Sequence, residues 1–371
     1  MKDTSGAILP GVTVEAASPA LIEKVRTVVT DSKGEYKIID LRPGTYTVTF
    51  TLPGFNTAKR EGVDLPSTFA SNYGKASEVF NGVDTSVSVR LPHGAFGGEV
   101  ADPSDGAFAR GDAVAVYPII SCGACRYCAS DRENLCPSKR VYGLDMHGGL
   151  AEYVGAPARC LFRLPAGMSF LEGSLVEPLA NAVHVVKRCP DVRGQSGLIY
   201  GAGPIGMLCA FVARHFGAVR LAVVDRNPHR LSRMRQLGAD LVINASDEDP
   251  VRKILEWTAG NGADFSIDAV GNTACRENSI ACTAAGGTAV CIGLEEEVCA
   301  VDTRPLVTRE VDLKGSYAYT RADFAEAIEL LQRKLLPWET FVTKAHLAQG
   351  QSIFEDLATG TSAIMKAVFE I

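Results

Sequence analysis

No run in the sequence reaches the roughly 18 apolar residues that a membrane span needs, although 46% of its 371 residues are hydrophobic. Its opening, MKDTSGAILPG, lacks the apolar stretch of a secretory leader. Positive charge is not in excess: 37 Lys and Arg stand against 43 Asp and Glu, a net of −6, so there is no basic face for nucleic acid. No cysteine precedes Cys122, and eleven follow from there on. An odd total, with four thiols in one loop and the rest mostly in apolar runs, points to a reducing compartment. A cytoplasmic protein with neither a membrane nor a nucleic-acid partner is the expectation. The length leaves room for two or three cores, since domains usually run about 100–200 residues.

What is present begins with SCGACRYCASDRENLC, residues 121–136, which sets Cys122, Cys125, Cys128 and Cys136 in one short polar loop. Cysteines spaced in this way can converge on one ion, and four thiolates close a tetrahedral zinc shell with no open position. The alternatives are exposed thiols or two disulfides. A zinc held in this way fixes a loop and does not polarise a substrate, so catalysis would need another metal elsewhere.

From Leu198 the chain reads LIYGAGPIGMLCAFVARHFGAVRLAVVD. An apolar strand runs into Gly201, Gly203, Pro204, Ile205 and Gly206; helical spacing follows until Gly217, and a second strand ends in Asp225. Glycines at these places allow a tight turn, close approach of a pyrophosphate and helix packing. Asp225 would accept hydrogen bonds from the adenosine ribose and repel a 2′-phosphate, which favours NAD over NADP; Arg226 and Arg230 weaken that preference. Strands at ADLVINA, ADFSIDAVG, GGTAVCIGL and REVDLKGSYAY alternate with helices through PVRKILEWTAG and up to Ala285. That order is an α/β fold with a doubly wound parallel sheet. Val270, Gly271, Ile292, Gly293 and Leu294 fall at strand C-terminal ends, where such sheets bind ligands or simply turn.

Residues from about 93 to 371 resemble a zinc-containing medium-chain alcohol or polyol dehydrogenase. GGEV, GDAVAV, the four-cysteine lobe, GGLAEYV, EPLANAVH, GAGPIG and GSYAYTRADFAEAIELL carry the resemblance. It implies a partial GroES-like, β-rich catalytic domain over 92–180 and an NAD-binding Rossmann domain over 181–317. It implies also a return to the catalytic domain over 318–371, and a homo-oligomer, dimer or tetramer. The implied chemistry is hydride transfer between an alcohol or polyol and NAD, with a second, open zinc polarising the oxygen. Glu177 of EPLA falls where the polyol branch carries a carboxylate at that zinc; otherwise it is a helix carboxylate. The family's cysteine ligand should precede GGEV, and its histidine and glutamate should fall at Gly94 and Ala95 of LPHGAFGGEV. His93 and His147 are the remaining substitutes, and with Glu177 alone the site lacks the three protein ligands a catalytic zinc needs.

Residues 1–91 read differently. VVTDSKGEYKIIDLRPGTYTVTFTLPGF alternates with period two, Tyr46, Val48 and Phe50 against Thr45, Thr47 and Thr49, with turns at Gly34 and Pro43-Gly44. Together with TSVSVRL, this segment resembles a carboxypeptidase regulatory-like antiparallel β-sandwich, a domain found at the front of bacterial outer-membrane receptors. The join near Leu91–Phe96 has no Pro/Ser-rich linker. Three readings follow: an NAD-dependent zinc-type oxidoreductase of doubtful turnover, a noncatalytic dinucleotide-binding protein with a structural zinc, or a receptor-type interaction module carrying a dehydrogenase fragment.

Overall fold

The structure is a computed structural model that describes residues 9–18, 24–32, 36, 38, 44–53, 57–65, 86–93, 96–103 and 106–371. The chain divides into two units, residues 1–72 and 73–371.

In the first unit β1 (Thr13–Ala17), β2 (Val25–Val29), β3 (Gly44–Thr51) and β4 (Ala58–Leu65) form one antiparallel sheet in the order β2-β1-β3-β4. The register Val14↔Phe50 and Ala16↔Val48 gathers the period-two apolar residues on one face. Val14, Ala16 and Tyr46 are buried there. Thr30 closes one end, accepting from the amide of Val12 and donating to the carbonyl of Leu9. The turns expected at Gly34 and Pro43 lie outside the described residues.

The segment TSVSVRL, expected in the first unit, sits in the second. There β5 (Ser86–Arg90), β6 (Gly97–Asp102), β7 (Ala113–Val116), β10 (Tyr153–Pro157) and β11 (Leu161–Arg163) make an antiparallel sheet ordered β10-β5-β6-β7-β11. Alternation alone cannot tell which sheet a strand joins; here the pairing of Val89 with Val100 and Val154 decides it. The two glycines of GGEV are required by packing. A Cβ on Gly97 would lie 2.5 Å from the carbonyl oxygen of Phe170, and one on Gly98 would lie 1.9 Å from that of Arg90. Between β7 and β10, the short strands β8 (Ile119–Ile120) and β9 (Arg140–Val141) pair antiparallel at the base of the cysteine loop.

Helix α1 (Phe170–Arg188) begins at a capping box between Ser169 and Glu172. Its buried residues face several directions (Leu175, Val176, Leu179, Val183, Val186), as expected of a helix enclosed between layers. A six-stranded parallel sheet follows, built from β12 (Ser196–Tyr200), α2 (Pro204–His215), β13 (Arg220–Asp225), α3 (Pro228–Gln236), β14 (Leu241–Asn244), α4 (Pro250–Trp257), β15 (Ala263–Asp268), α5 (Thr273–Cys282), β16 (Thr283–Cys291), α6 (Arg304–Thr308) and β17 (Asp312–Gly315). The helix expected to reach Ala285 stops at Cys282, because β-branched Thr283 turns extended and pairs with Ala263. The strand order β14-β13-β12-β15-β16-β17 reverses direction at β12 and opens a crevice at the strand C-termini.

The chain then returns to α1 through α7 (Arg321–Gln332) and ends in β18 (Val342–His346), α8 (Gly350–Ala358) and β19 (Lys366–Glu370), with β18 and β19 paired in parallel. The buried carboxylate of Asp323 joins α7 to α1: Oδ2 lies 2.8 Å from Nδ1 of His184, and Oδ1 accepts from Nζ of Lys187 at 2.9 Å. No helix among the described residues is long and apolar enough to cross a membrane.

Candidate functional site: a thiolate cluster, a dinucleotide crevice and an isolated glutamate

The four loop cysteines converge. Their sulfurs all lie within 4.8 Å of one another, with Cys125 to Cys128 at 3.5 Å and Cys122 to Cys128 at 3.9 Å. Sulfurs at about 2.3 Å from one tetrahedral zinc stand roughly 3.8 Å apart, whereas a disulfide would hold a pair near 2 Å. The donor set and its spacing therefore fit zinc. Turns with positive φ at Gly123 and Asp131 fold the loop. Backbone N–H groups of Ala124 and Cys125 hold the Cys122 thiol down to about 6, while burial pushes Cys136 up to about 11. Asn134 ties the lobe down by donating to the carbonyl of Tyr317 at 2.8 Å.

In the crevice, Gly201 has φ +95°, and the amide of Ala202 donates to Oδ2 of Asp225 at 2.6 Å. Oδ1 of Asp225 accepts from the amides of Arg226 and Asn227, so this carboxylate fixes both turns beside the helix start. Pro204 opens α2, and Ile205 packs on the core beneath. A Cβ on Gly206 would fall 1.8 Å from the carbonyl oxygen of Gly201, so only glycine permits this strand-to-helix contact. Gly203 differs: the nearest atom to an added Cβ is Nη1 of Arg230, at 3.8 Å. Open space thus faces the free N–H groups at the start of α2, and the Nε of Arg230 is buried without a partner beside it. A glycine cradle, a helix N-terminus and the unpartnered Nε of Arg230 fit a dinucleotide pyrophosphate. Arg226 is exposed at the rim.

Across the reversal point, Val270 and Gly271 donate to Oδ1 of the fully buried Asp268, and Ile292 and Gly293 donate to its carbonyl. A Cβ on Gly271 would lie 2.1 Å from the carbonyl carbon of Gly293, so the two loops rest backbone on backbone. Leu294 is exposed.

Glu177 lies on α1, and its Oε1 accepts from the hydroxyl of Tyr319 at 3.0 Å and from Nδ2 of Asn181 at 3.1 Å. Burial, then the charge of Glu177, raises the Tyr319 phenol well above its usual range. Burial lowers Lys366, and the charge of Glu177 opposes that. The charged neighbours of His93 are Glu370 and Lys344, and it shares no group of three donors with Glu177. His147 is exposed on the loop after Met146. Gly94 and Ala95 lie outside the described residues. Among the described residues the four cysteines are the only group of three or more Cys, His, Asp or Glu donors placed to share an ion. The surroundings of Glu177 therefore do not fit a catalytic zinc.

Sequence reasoning missed the partners supplied from far along the chain. Nδ2 of the buried Asn227 donates to the carbonyls of Gly360 and Ser362, and Tyr117 donates to the carbonyl of Tyr319. The caps carried a local signal: Asn227 precedes a proline at the start of α3.

Three family models match the chain: a carboxypeptidase regulatory-like domain at residues 1–73, an alcohol dehydrogenase GroES-like domain at 70–166 and a zinc-binding dehydrogenase at 204–333. The chain is 31% identical to a sorbitol dehydrogenase of Arabidopsis thaliana over 269 residues, 70% of this chain and 73% of that protein. It is 32% identical to a D-xylulose reductase A of Aspergillus niger over 256 residues, 67% of this chain and 72% of that protein. The crystal structure of 2R,3R-butanediol dehydrogenase from Bacillus subtilis superposes with a TM-score of 0.67 at 26% identity, covering 74% of this chain and 79% of that one. With the thiolate lobe, the glycine crevice and these relatives in agreement, the chain belongs to the zinc-binding dehydrogenase family.

Proposed function

We propose that this chain is an NAD-binding alcohol or polyol dehydrogenase by descent that keeps its structural zinc and its cofactor crevice but has lost zinc-assisted turnover. The observation that carries this reading is the environment of Glu177, which is held by Tyr319 and Asn181 and belongs to no group of three or more metal-donor side chains among the described residues. The dinucleotide crevice retains Gly201, Gly203, Gly206 and Asp225 in a cradle open to a pyrophosphate. Cys122, Cys125, Cys128 and Cys136 would hold the zinc that shapes the lobe. NAD, when bound, supplies the hydride acceptor. Asp225, Arg226 and Arg230 would meet its adenosine half, and Val270, Ile292 and Gly293 its nicotinamide half. Asp225 would repel a 2′-phosphate, which favours NAD over NADP. The substrate class would be a small alcohol or polyol, in keeping with the sorbitol dehydrogenase and D-xylulose reductase relatives; assembly into a homo-oligomer is part of the same proposal. An odd cysteine count, with the thiols outside the zinc loop mostly in apolar runs, supports a reducing, cytoplasmic setting.

Metal analysis combined with cofactor titration and an NADH-absorbance assay over short alcohols, polyols and threonine tests the reading. The expected result is about one zinc per chain, tighter binding of NAD than NADP, and little or no alcohol oxidation. Two zincs with chelator-sensitive turnover would overturn it.

A further inference from the structure

Arg276 stands in the first turn of α5, where the helix dipole disfavours a cation. A residue placed against the local electrostatic preference needs a compensating role, and its contacts supply one. Nε donates to Oδ2 of Asp268 at 3.2 Å, Nη2 donates to the carbonyl of Gly293 at 2.8 Å, and Nη1 lies 3.7 Å from the sulfur of Cys299. Asp268 is fully buried, and its other carboxylate oxygen holds the amides of Val270 and Gly271. One guanidinium thus fastens the loop after β15 to the loop after β16, at the place where Gly271 and Gly293 touch. Asp225, at the end of β13, marks the adenosine side of the crevice, so the other half of a dinucleotide lies over the ends of β15 and β16.

We propose that Arg276 is a positioning residue that sets the nicotinamide end of the cofactor crevice by fastening these two loops together. The inference rests on the dinucleotide reading above. It acts through the loops: Arg276 fixes where the Val270, Gly271 and Gly293 backbones lie, and they form the wall that the nicotinamide meets. A lysine could keep the ion pair with Asp268 but lacks the fixed planar fork that serves Asp268 and Gly293 at once.

The test compares NADH with ADP-ribose, which has the same adenosine and pyrophosphate but no nicotinamide, by titration of the full chain carrying Arg276→Met or Arg276→Lys. The expected result is NADH binding about tenfold weaker in Arg276→Met, with ADP-ribose changed by less than about twofold. In Arg276→Lys, which retains the buried ion pair and guards against a folding failure of the first variant, the loss is smaller but again confined to NADH. Equal losses for both ligands would mean that Arg276 supports the fold only, and no loss for either would mean that it positions nothing; both overturn the inference. A wild-type chain that binds neither ligand would remove the dinucleotide reading and this inference with it, whereas a wild type that binds both, with unaffected variants, defeats this inference alone.

Discussion

The hydroxyl of Tyr319 donates to Oε1 of Glu177 across 3.0 Å, joining residues 142 positions apart in the sequence. It supplies a neutral donor to a carboxylate that the family resemblance assigns to a metal. Tyr319 is buried, and its ring packs on those of Tyr117 and Phe324. Replacing Tyr319 with Phe keeps the ring and removes one hydrogen bond to a charged group, a change of about 1.5–3 kcal/mol. Urea unfolding should report a loss in that range. An unchanged midpoint would mean that Asn181 alone satisfies Glu177.

The thiolate lobe should be the metal-dependent part of the fold. Structural zinc contributes on the order of 10–16 kcal/mol of apparent binding free energy in small peptides at neutral pH. Replacing Cys125 and Cys136 together with Ser should release the metal and lower the melting temperature. Unchanged metal content in the double variant would disprove the assignment.

How much of this was readable beforehand depends on the range of the contact. The cysteine cluster and the turn from Gly201 to Gly206 are formed by residues close in sequence, so spacing and flanking periodicity were enough to find them. Asp225 is legible by the same local logic, as the end of the strand after a glycine-opened helix. The contacts of Tyr319 with Glu177, of Asp323 with His184 and of Arg276 with Gly293 depend on how the sheet and helices stack, and no local period encodes that. Residues 86–90 show the limit clearly. Their alternation specifies a half-buried strand but not its neighbours, and the pairing of Val89 with Val100 and Val154 is what assigns them to this sheet.

The joint between α1 and α7 should fail in acid. Burial alone would raise the Asp323 carboxyl, but hydrogen bonds from His184, Thr320 and Lys187 outweigh it and hold the group well below the ordinary carboxylate range. A carboxylate depressed in the folded state contributes stability that is fully present above the unfolded value of about 3.9 and is lost as pH falls below it, toward the folded value. Stability should therefore drop by up to about 1.4 kcal/mol per pH unit below about pH 4 on account of this group. Asp323→Asn should be less stable at pH 7 and should show a shallower acid slope. Parallel pH profiles for wild type and variant would assign the acid sensitivity to other carboxylates.

The second and third glycines of the cofactor turn should separate folding from binding. Both are local parts of one motif, yet their surroundings differ. A methyl group on Gly206 would collide with the carbonyl oxygen of Gly201 at 1.8 Å, forcing β12 and α2 apart. One on Gly203 would enter open space, its nearest neighbour Nη1 of Arg230 at 3.8 Å, on a backbone with φ −70° and ψ −177° that alanine adopts readily. Gly203→Ala should therefore fold with a melting temperature near that of the wild type. The added methyl would stand where a pyrophosphate approaches the first turn of α2, so NADH and ADP-ribose should both bind at least about tenfold more weakly. Gly206→Ala should lose stability as well as binding, by about 1–3 kcal/mol if the turn adjusts around the methyl. The informative measurement is the pair: melting and titration on both variants. A Gly203→Ala protein that binds NADH as tightly as the wild type would show that the pyrophosphate does not lie over this glycine, and the crevice would have to accept its ligand in another place.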